Sequence, residues 1–178
     1  MKKILLILIL LTSILSFSQT KKKTVVSKFI INHCIDKMSN NEYYFANTKI
    51  IGANKTKTKG VIITPSLGRV NDTLKVIDIT IEAIGLGICN EKSTLIIMFD
   101  DESKIVLDSW NDFNCKGTNY FKIEDYDYEN LSSKKIKTIR YQNGYTFDTF
   151  TFNVVGLDKI YFNRIINNYS IREINCND

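Results

Sequence analysis

The sequence predicts a mainly β fold, arranged as an antiparallel sandwich or as one curved sheet, with a C-terminal helix. Two observations carry this prediction. Apolar and polar residues alternate along segment 75–83, and turn-forming residues separate several short apolar runs. Alternation is typical of strands that bury one face, as in antiparallel sheets. A second helix near the N-terminus also fits the pattern, so an α+β fold stays open.

The strand at 75–83 is the clearest element of the chain. From Ile77 to Ala83 every second residue is apolar, and the residues between are acidic or carry a hydroxyl. Because successive side chains of a strand point to opposite faces, we expect one face to be buried and the other to be wet. The apolar set is Ile77, Ile79, Ile81 and Ala83, and the polar set is Asp78, Thr80 and Glu82.

Two apolar runs predict a hairpin near the centre of a sheet. Segments 95–99 and 105–110 are shorter and more uniformly apolar than segment 75–83, and the polar residues 100–103 form the turn between them. Strand-forming residues also predict strands at 43–51 and 60–64.

A second hairpin is predicted around Asn143-Gly144, the strongest turn signal in the chain. Both residues tolerate the positive φ that a two-residue type I′ turn requires. The flanking strands are therefore predicted at 136–142 and 145–154.

Helical spacing occurs at both ends of the mature chain. After Gly156, Asp158 is suited to cap a C-terminal helix. Its apolar positions are Leu157, Ile160, Tyr161, Ile165 and Tyr169. Near the N-terminus, Phe29, Ile30, Cys34 and Met38 follow helical spacing. The β-branched pair at 30–31 also allows a strand there, and we predict the helix. Segment 129–135 is predicted as one short helical turn.

Residues 1–18 have the features of a Sec-type signal peptide: two lysines, an apolar run and a small-residue end. The apolar run is too short to span a bilayer. Ser16 and Ser18 stand where signal peptidase prefers small side chains, so we predict cleavage between Ser18 and Gln19. The mature chain is therefore expected to be periplasmic or secreted, without stable membrane insertion.

The mature chain has the size and charge of an ordinary soluble domain. Removal of 18 residues leaves 160 of the 178, with 19–23 as a flexible N-terminus and 24–178 as a single domain. Loss of the two signal lysines lowers the net charge from +5 to +3. This surface is only mildly basic, and together with export it argues against a nucleic-acid partner.

Four cysteines remain after cleavage, and in an oxidising compartment they predict two disulfides. Four cysteines allow three connectivities. A hairpin with its turn at 100–103 places Cys89 opposite Cys115 at its open end, within the reach of a disulfide. The remaining pair, Cys34 and Cys176, would tie the first mature element to the C-terminal tail.

No residue is predicted to be catalytic. The one histidine, His33, stands beside Cys34, but adjacent residues point in different directions and an oxidised cysteine has no thiolate. We interpret His33 as a structural or surface residue. No cofactor is predicted, although the alternating carboxylates Asp125, Asp127 and Glu129 leave a calcium site open.

Aromatic residues provide the candidate ligand-binding positions. Core and cross-strand packing explains most of the aromatics of a β domain. The candidates for contact with a ligand are Trp110, Tyr126 and Tyr128.

Several short motifs resemble a group of uncharacterised small secreted proteins of Gram-negative bacteria. They are Asp36-Lys37-Met38, Tyr43-Tyr44-Phe45, Lys59-Gly60 leading to Pro65, Cys89-Asn90-Glu91, Trp110-Asn111, Phe113-Asn114-Cys115 and Ile139-Arg140 before Asn143-Gly144. The group has no known activity, so the resemblance implies one exported domain and no catalytic residue.

These observations favour a non-enzymatic binding or interaction module of the cell envelope, with a protein or a glycan as its partner. One alternative is a small hydrolase that uses carboxylates such as Asp100, Asp101, Asp125 or Asp127. Another is an envelope inhibitor or immunity-like protein. Two acids converging in a deep pocket, with raised pKa values, would favour the hydrolase.

Overall fold

Eleven strands, two α-helices and one 3-10 helix occur in residues 27–176, which the computed structural model describes. The strands are β1 (Phe29–Ile35), β2 (Glu42–Ala46), β3 (Ile50–Ala53), β4 (Gly60–Val70), β5 (Thr73–Ile84), β6 (Thr94–Phe99), β7 (Lys104–Asp108), β8 (Thr118–Lys122), β9 (Ile136–Gln142), β10 (Thr149–Asn153) and β11 (Tyr169–Glu173). The helices are α1 (Asp125–Ser133), the 3-10 helix (Gly156–Ile160) and α2 (Tyr161–Asn167). The predicted signal peptide and flexible N-terminus lie outside the described residues.

The strands form two sheets. The seven-stranded sheet has the order β11-β1-β2-β4-β5-β8, with β3 also paired to β4. Its strands pair antiparallel except for β1 and β11, which are parallel. The four-stranded sheet has the order β10-β9-β6-β7 and is antiparallel. Both sheets contribute fully buried side chains to the core, so the predicted mainly β, sandwich-like fold is confirmed. No helix of residues 27–176 is long and apolar enough to cross a membrane.

The strand predicted at 75–83 is β5, and one of its predicted core residues is placed differently. Ile79 and Ile81 are fully buried, as the alternation predicts. Ser66 pairs with Asp78 and Leu67 pairs with Val76, which leaves Ile77 as the extra residue of a β-bulge. Ile77 is therefore 40% exposed instead of buried.

The predicted hairpin with its turn at 100–103 is present as β6 and β7. Leu95 faces Leu107 and Ile97 faces Ile105, and all four side chains are buried. The predicted position near the centre of a sheet is wrong for β7, which is the edge strand of the four-stranded sheet.

The hairpin at Asn143-Gly144 is also present, but the predicted two-residue turn is wrong. Gln142 pairs with Thr149, so six residues, 143–148, connect β9 and β10. The buried Asn143 amide donates to the carbonyls of Leu86 and Cys89, at 3.1 and 3.0 Å. A Cβ at Gly144 would lie 2.0 Å from the Glu91 carbonyl oxygen. Asn143 and Gly144 therefore fasten the β9–β10 loop against segment 86–92.

The predicted N-terminal helix is wrong, because segment 29–35 is strand β1. This strand pairs with β2 on one side and with β11 on the other, and these long-range partners override the helical spacing. The predicted strand at 43–51 is broken into β2 and β3. The turn predicted at 129–135 is longer, since α1 begins at Asp125.

The C-terminal helix is confirmed but shorter than predicted. Asp158 lies inside the 3-10 helix and does not cap α2, which begins at Tyr161 and ends at Asn167. Tyr169, predicted as a helical position, begins β11. Phe162 and Ile165 of α2 are buried in the core.

Both predicted disulfides are present. Cys89 is bonded to Cys115, next to a backbone pair in which Asn90 and Asn114 exchange hydrogen bonds of 2.8 and 3.1 Å. Cys34 is bonded to Cys176, with their Cα atoms 5.3 Å apart. The first bond closes the open end of the β6–β7 hairpin, and the second fastens the chain after β11 to β1.

Candidate functional site

The candidate site lies on the outer face of the seven-stranded sheet, which is turned away from the core. Asp78 of β5 pairs with Lys122 of β8. Asp78 precedes the buried Ile79, and Lys122 follows the buried Phe121. Their side chains therefore point outward. Trp110, in the segment between β7 and β8, reaches this face and donates a hydrogen bond from Nε1 to Asp78 Oδ1 at 3.3 Å.

Trp110 is held in place although its side chain is largely in solvent. Its backbone N–H donates to the Tyr120 carbonyl at 3.1 Å, and the Tyr120 N–H donates to Asn111 Oδ1 at 2.9 Å. The rings of Trp110 and Tyr120 have centroids 5.5 Å apart. With these contacts made, Trp110 is still 61% exposed. We call Ile77, Asp78, Trp110, Tyr120 and Lys122 the Trp110 surface.

The bulge in β5 shapes this surface. Because Ile77 is the extra residue, it is not drawn into the core as the alternation predicts. A Cβ added at Gly68 would lie 3.1 Å from Ile77 Cδ1, so Ile77 packs over the outer side of β4 at this glycine. An apolar side chain thus lies beside the Asp78 carboxylate on one open face.

A cleft of about 170 Å³ adjoins the Trp110 surface. It shares Ile77 and Lys122 with that surface and also contains Lys75, Asp125 and Tyr128. Lys75 Nζ lies 5.5 Å from the centre of the Tyr128 ring and 3.9 Å from Asp125 Oδ1. Burial raises the pKa of the Tyr128 hydroxyl above its ordinary value, which lies well above pH 7 already, and the neutral hydroxyl can donate a hydrogen bond.

The charges of this region are of mixed sign. Lys122 Nζ lies 2.9 Å from Glu124 Oε1, and this hydrogen bond and the charges of Glu124 and Asp78 raise the pKa of Lys122. Lys122 is therefore a fixed cation next to the Asp78 carboxylate. The surface offers an aromatic plane, an acceptor and a donor, which suit stacking and hydrogen bonding to a polar ligand.

Two of the three aromatic candidates are brought to this region. Trp110 lies on the Trp110 surface, and Tyr128 lines the adjoining cleft. Tyr126, on the same helix as Tyr128, is exposed and does not line the cleft. Their contribution to binding stays a prediction.

The candidate calcium ligands do not form a cluster. Asp125, Asp127 and Glu129 all lie on α1. Asp127 Oδ2 accepts a hydrogen bond from the Glu124 backbone N–H at 3.3 Å, which fixes the start of the helix. Asp125 is paired with Lys75. Among residues 27–176 no group of three His, Cys, Asp or Glu side chains is arranged to hold a metal ion.

The acidic turn between β6 and β7 consists of ion-paired carboxylates. Asp100 accepts from Lys159 at 2.8 Å, and Asp101 lies 3.0 Å from Lys134. Hydrogen bonds from Ser103 and Lys134 lower the pKa of Asp101 to about 2. A general acid requires a raised pKa, so Asp101 is unsuited to that role at neutral pH.

His33 lies in a packed polar cluster. Its Nδ1 is 2.7 Å from Glu173 Oε2, and its ring stacks on Tyr44 with centroids 4.5 Å apart. The Tyr44 hydroxyl donates to Glu42 at 2.8 Å, and burial followed by this hydrogen bond raises the pKa of Tyr44. Cys34 is oxidised and points to the opposite face. These contacts agree with a structural histidine.

Five residues of the site were not identified from the sequence: Lys75, Ile77, Asp78, Tyr120 and Lys122. The alternation in segment 75–83 did place Asp78 on the wet face. Its contact with Trp110, 32 residues away, depends on the bridge between Ser109 and Phe121 that joins the two sheets. No local pattern predicts such a bridge.

No protein-family model, curated protein or solved structure gave a significant match to the chain. The resemblance to small secreted proteins of Gram-negative bacteria therefore stays a prediction, and the function is inferred from the geometry of the site.

Proposed function

We propose that the mature chain is an exported, non-enzymatic binding domain of the cell envelope, and that the Trp110 surface binds a saccharide. The observation that carries this proposal is Trp110 itself. It is 61% exposed, yet backbone hydrogen bonds and the Asp78 carboxylate fix its position. An ordered exposed indole loses little conformational freedom when a ligand covers it.

The energetics of covering this ring are favourable. A Trp side chain buries up to roughly 200 Å² of surface when fully covered. At 61% exposure, more than half of that area is open to a ligand. At about 25 cal/mol per Å², covering it contributes roughly 2–3 kcal/mol. This contribution is comparable to that of a binding hot spot.

The groups around the ring favour a saccharide. The apolar face of a sugar ring stacks on an indole, and its hydroxyls both donate and accept hydrogen bonds. Asp78 supplies an acceptor and Lys122 supplies a donor on the same face. The exposed parts of Trp110, Tyr120 and Ile77 are small beside the roughly 800 Å² of total surface that each side of a standard protein interface buries, which favours a small ligand.

Export is supported by the two disulfides, which are typical of oxidising compartments. The non-enzymatic character is supported by the ion pairs that neutralise Asp100 and Asp101. The final address, periplasm or exterior, and the signal cleavage before Gln19 belong to the same proposal. N-terminal sequencing of the exported protein tests the cleavage site.

The binding test uses the oxidised mature chain on an array of bacterial envelope glycans. We expect retention by a subset of glycans, and we expect Trp110→Ala to weaken it at least about tenfold. The matched control is Phe147→Ala, which removes another exposed aromatic from the β9–β10 loop. Equal weakening by both variants, or binding only to an envelope protein, would contradict the saccharide proposal.

A further inference from the structure

A second open face lies on the four-stranded sheet. Across β6 and β9, Ile96 faces Arg140 and Met98 faces Thr138. Across β9 and β10, Arg140 faces Thr151. These residues alternate with the buried Leu95, Ile97, Ile139 and Tyr141, so they point away from the core. With Lys104, the outward residues line a shallow cleft of about 200 Å³, which we call the Arg140 cleft.

Arg140 is held at one side of its guanidinium group. Its Nε donates to Thr151 Oγ1 at 3.1 Å, which fixes the plane of the guanidinium group. Within residues 27–176 its two terminal nitrogens make no hydrogen bond and it forms no ion pair. A guanidinium held in this way presents parallel N–H donors, the arrangement that binds a carboxylate with two hydrogen bonds.

The second cation of the cleft is also unpaired. Lys104 contacts no carboxylate within 4.0 Å in the described part of the chain, although it adjoins the acidic turn. The three acids of that turn are each paired with another lysine. The pairs are Asp100 with Lys159, Asp101 with Lys134 and Glu102 with Lys137. The Arg140 cleft therefore keeps an uncompensated positive charge.

Two aliphatic side chains and two threonines complete the lining of the cleft. Ile96 and Met98 form part of its lining, and Val106, which faces Ile96 across β6 and β7, is 50% exposed. The volume of about 200 Å³ corresponds to roughly seven water molecules of the liquid. A cleft of this volume has room for a ligand with one anionic group and a short alkyl chain.

We propose that the Arg140 cleft binds a small monocarboxylate with a short alkyl chain. The carboxylate lies on the Arg140 guanidinium with Lys104 beside it, and the alkyl chain lies on Ile96 and Met98. Charge complementarity selects the anion, and the apolar lining selects the chain. This site is independent of the Trp110 surface, which lies on the other sheet.

The test is a titration of the oxidised mature protein with hexanoate, followed by amide chemical shifts. Acetate and hexanol are titrated in parallel, because acetate lacks the chain and hexanol lacks the charge. We expect hexanoate to shift the amides of β6 and β9 and to bind more tightly than either analogue. Arg140→Gln is expected to weaken hexanoate binding about tenfold or more, because a charge-assisted hydrogen bond is lost.

The matched control is Lys55→Gln, which removes an exposed cation from the β3–β4 turn and is expected to leave hexanoate binding unchanged. Equal weakening by Lys55→Gln and Arg140→Gln would overturn the proposal, since only the overall charge would then act. Equal binding of hexanol and hexanoate would also overturn it. Melting temperatures of both variants within a few degrees of the parent establish that folding is retained.

Discussion

The outer faces of both sheets arise from the alternation of inward and outward residues along each strand, but their side chains differ in chemistry. On the seven-stranded sheet, Trp110 and Tyr120 lie beside Asp78 and Lys122, so charges of both signs accompany aromatic rings. On the four-stranded sheet, Arg140 and Lys104 surround aliphatic side chains without a carboxylate partner in the described residues. The inward residues determine the fold, whereas the outward residues leave each face free to acquire its own ligand.

The largest expected effects concern the two disulfides, which stabilise the domain that carries both faces. On the chain-entropy model, removal of Cys34–Cys176, separated by 142 residues, costs about 5 kcal/mol of unfolding free energy. Removal of Cys89–Cys115, separated by 26, costs about 3.5 kcal/mol. Paired Cys→Ser variants measured by urea unfolding check this order. A larger loss of unfolding free energy on removal of Cys89–Cys115, which closes the shorter loop, would show that this disulfide organises the junction between the sheets.

The next effect concerns Asn143, which fastens the β9–β10 loop beneath segment 86–92. Asn143→Ala removes the hydrogen bonds to the Leu86 and Cys89 carbonyls, and within the described residues only the Leu86 carbonyl keeps another donor, the Thr146 hydroxyl at 3.3 Å, so we expect a loss of about 3 kcal/mol. Asn153→Ala, on the exposed end of the same hairpin, is the matched control and should cost less than about 1 kcal/mol. Equal losses of unfolding free energy for the two variants would mean that the buried hydrogen bonds of Asn143 stabilise the fold no more than an exposed asparagine of the same hairpin does.

A smaller effect on stability, with a large effect on binding, is expected at Trp110. Trp110→Ala should change the unfolding free energy by less than about 1 kcal/mol, because most of the ring is exposed. The same change should weaken glycan binding at least about tenfold and leave hexanoate binding unchanged. A loss of hexanoate binding in Trp110→Ala would break the independence of the two faces.

The smallest effect concerns the acidic turn. The pKa of Asp101 is lowered to about 2 from 3.8, so its ionised form favours the folded state above about pH 4. This stabilisation should disappear as the pH falls through about 2. Asp101→Asn should therefore be slightly less stable than the parent at pH 6 and equally stable near pH 2. A difference that persists at pH 2 would locate the effect in packing instead of charge.

Local sequence patterns predicted the parts of this fold that depend on neighbouring residues. The β6–β7 hairpin and its acidic turn are local, and the hairpin brings Cys89 near Cys115. The register of β6 and β7 alone would place Cys89 opposite Phe113, and the separate bridge between Asn90 and Asn114 aligns the two cysteines. Strand β1 was predicted as a helix because its two partners, β2 and β11, are set by long-range pairing. Ile77 was assigned to the core because a bulge depends on the partner strand, β4.

The site was predicted only in part for the same reason. Trp110 and Tyr128 were recognised as aromatics suited to bind a ligand, since that depends on residue type alone. Ile77 and Lys122, which belong to both the Trp110 surface and the adjoining cleft, lie on two different strands and were not identified as site residues. The Arg140 cleft was not predicted, because the sequence does not show which carboxylates lie near Arg140. Only the positions of the neighbouring charges show that it forms no ion pair within residues 27–176.

The most direct test of the account uses Trp110, the single tryptophan of the chain, as the reporter. Its fluorescence is recorded while the mature protein is titrated with a glycan selected on the array, and then with hexanoate. We expect the glycan to shift the Trp110 emission to shorter wavelength, with the affinity seen on the array, and we expect hexanoate to leave it unchanged. Glycan binding that leaves the Trp110 emission unchanged would contradict the assignment of the Trp110 surface as the binding face.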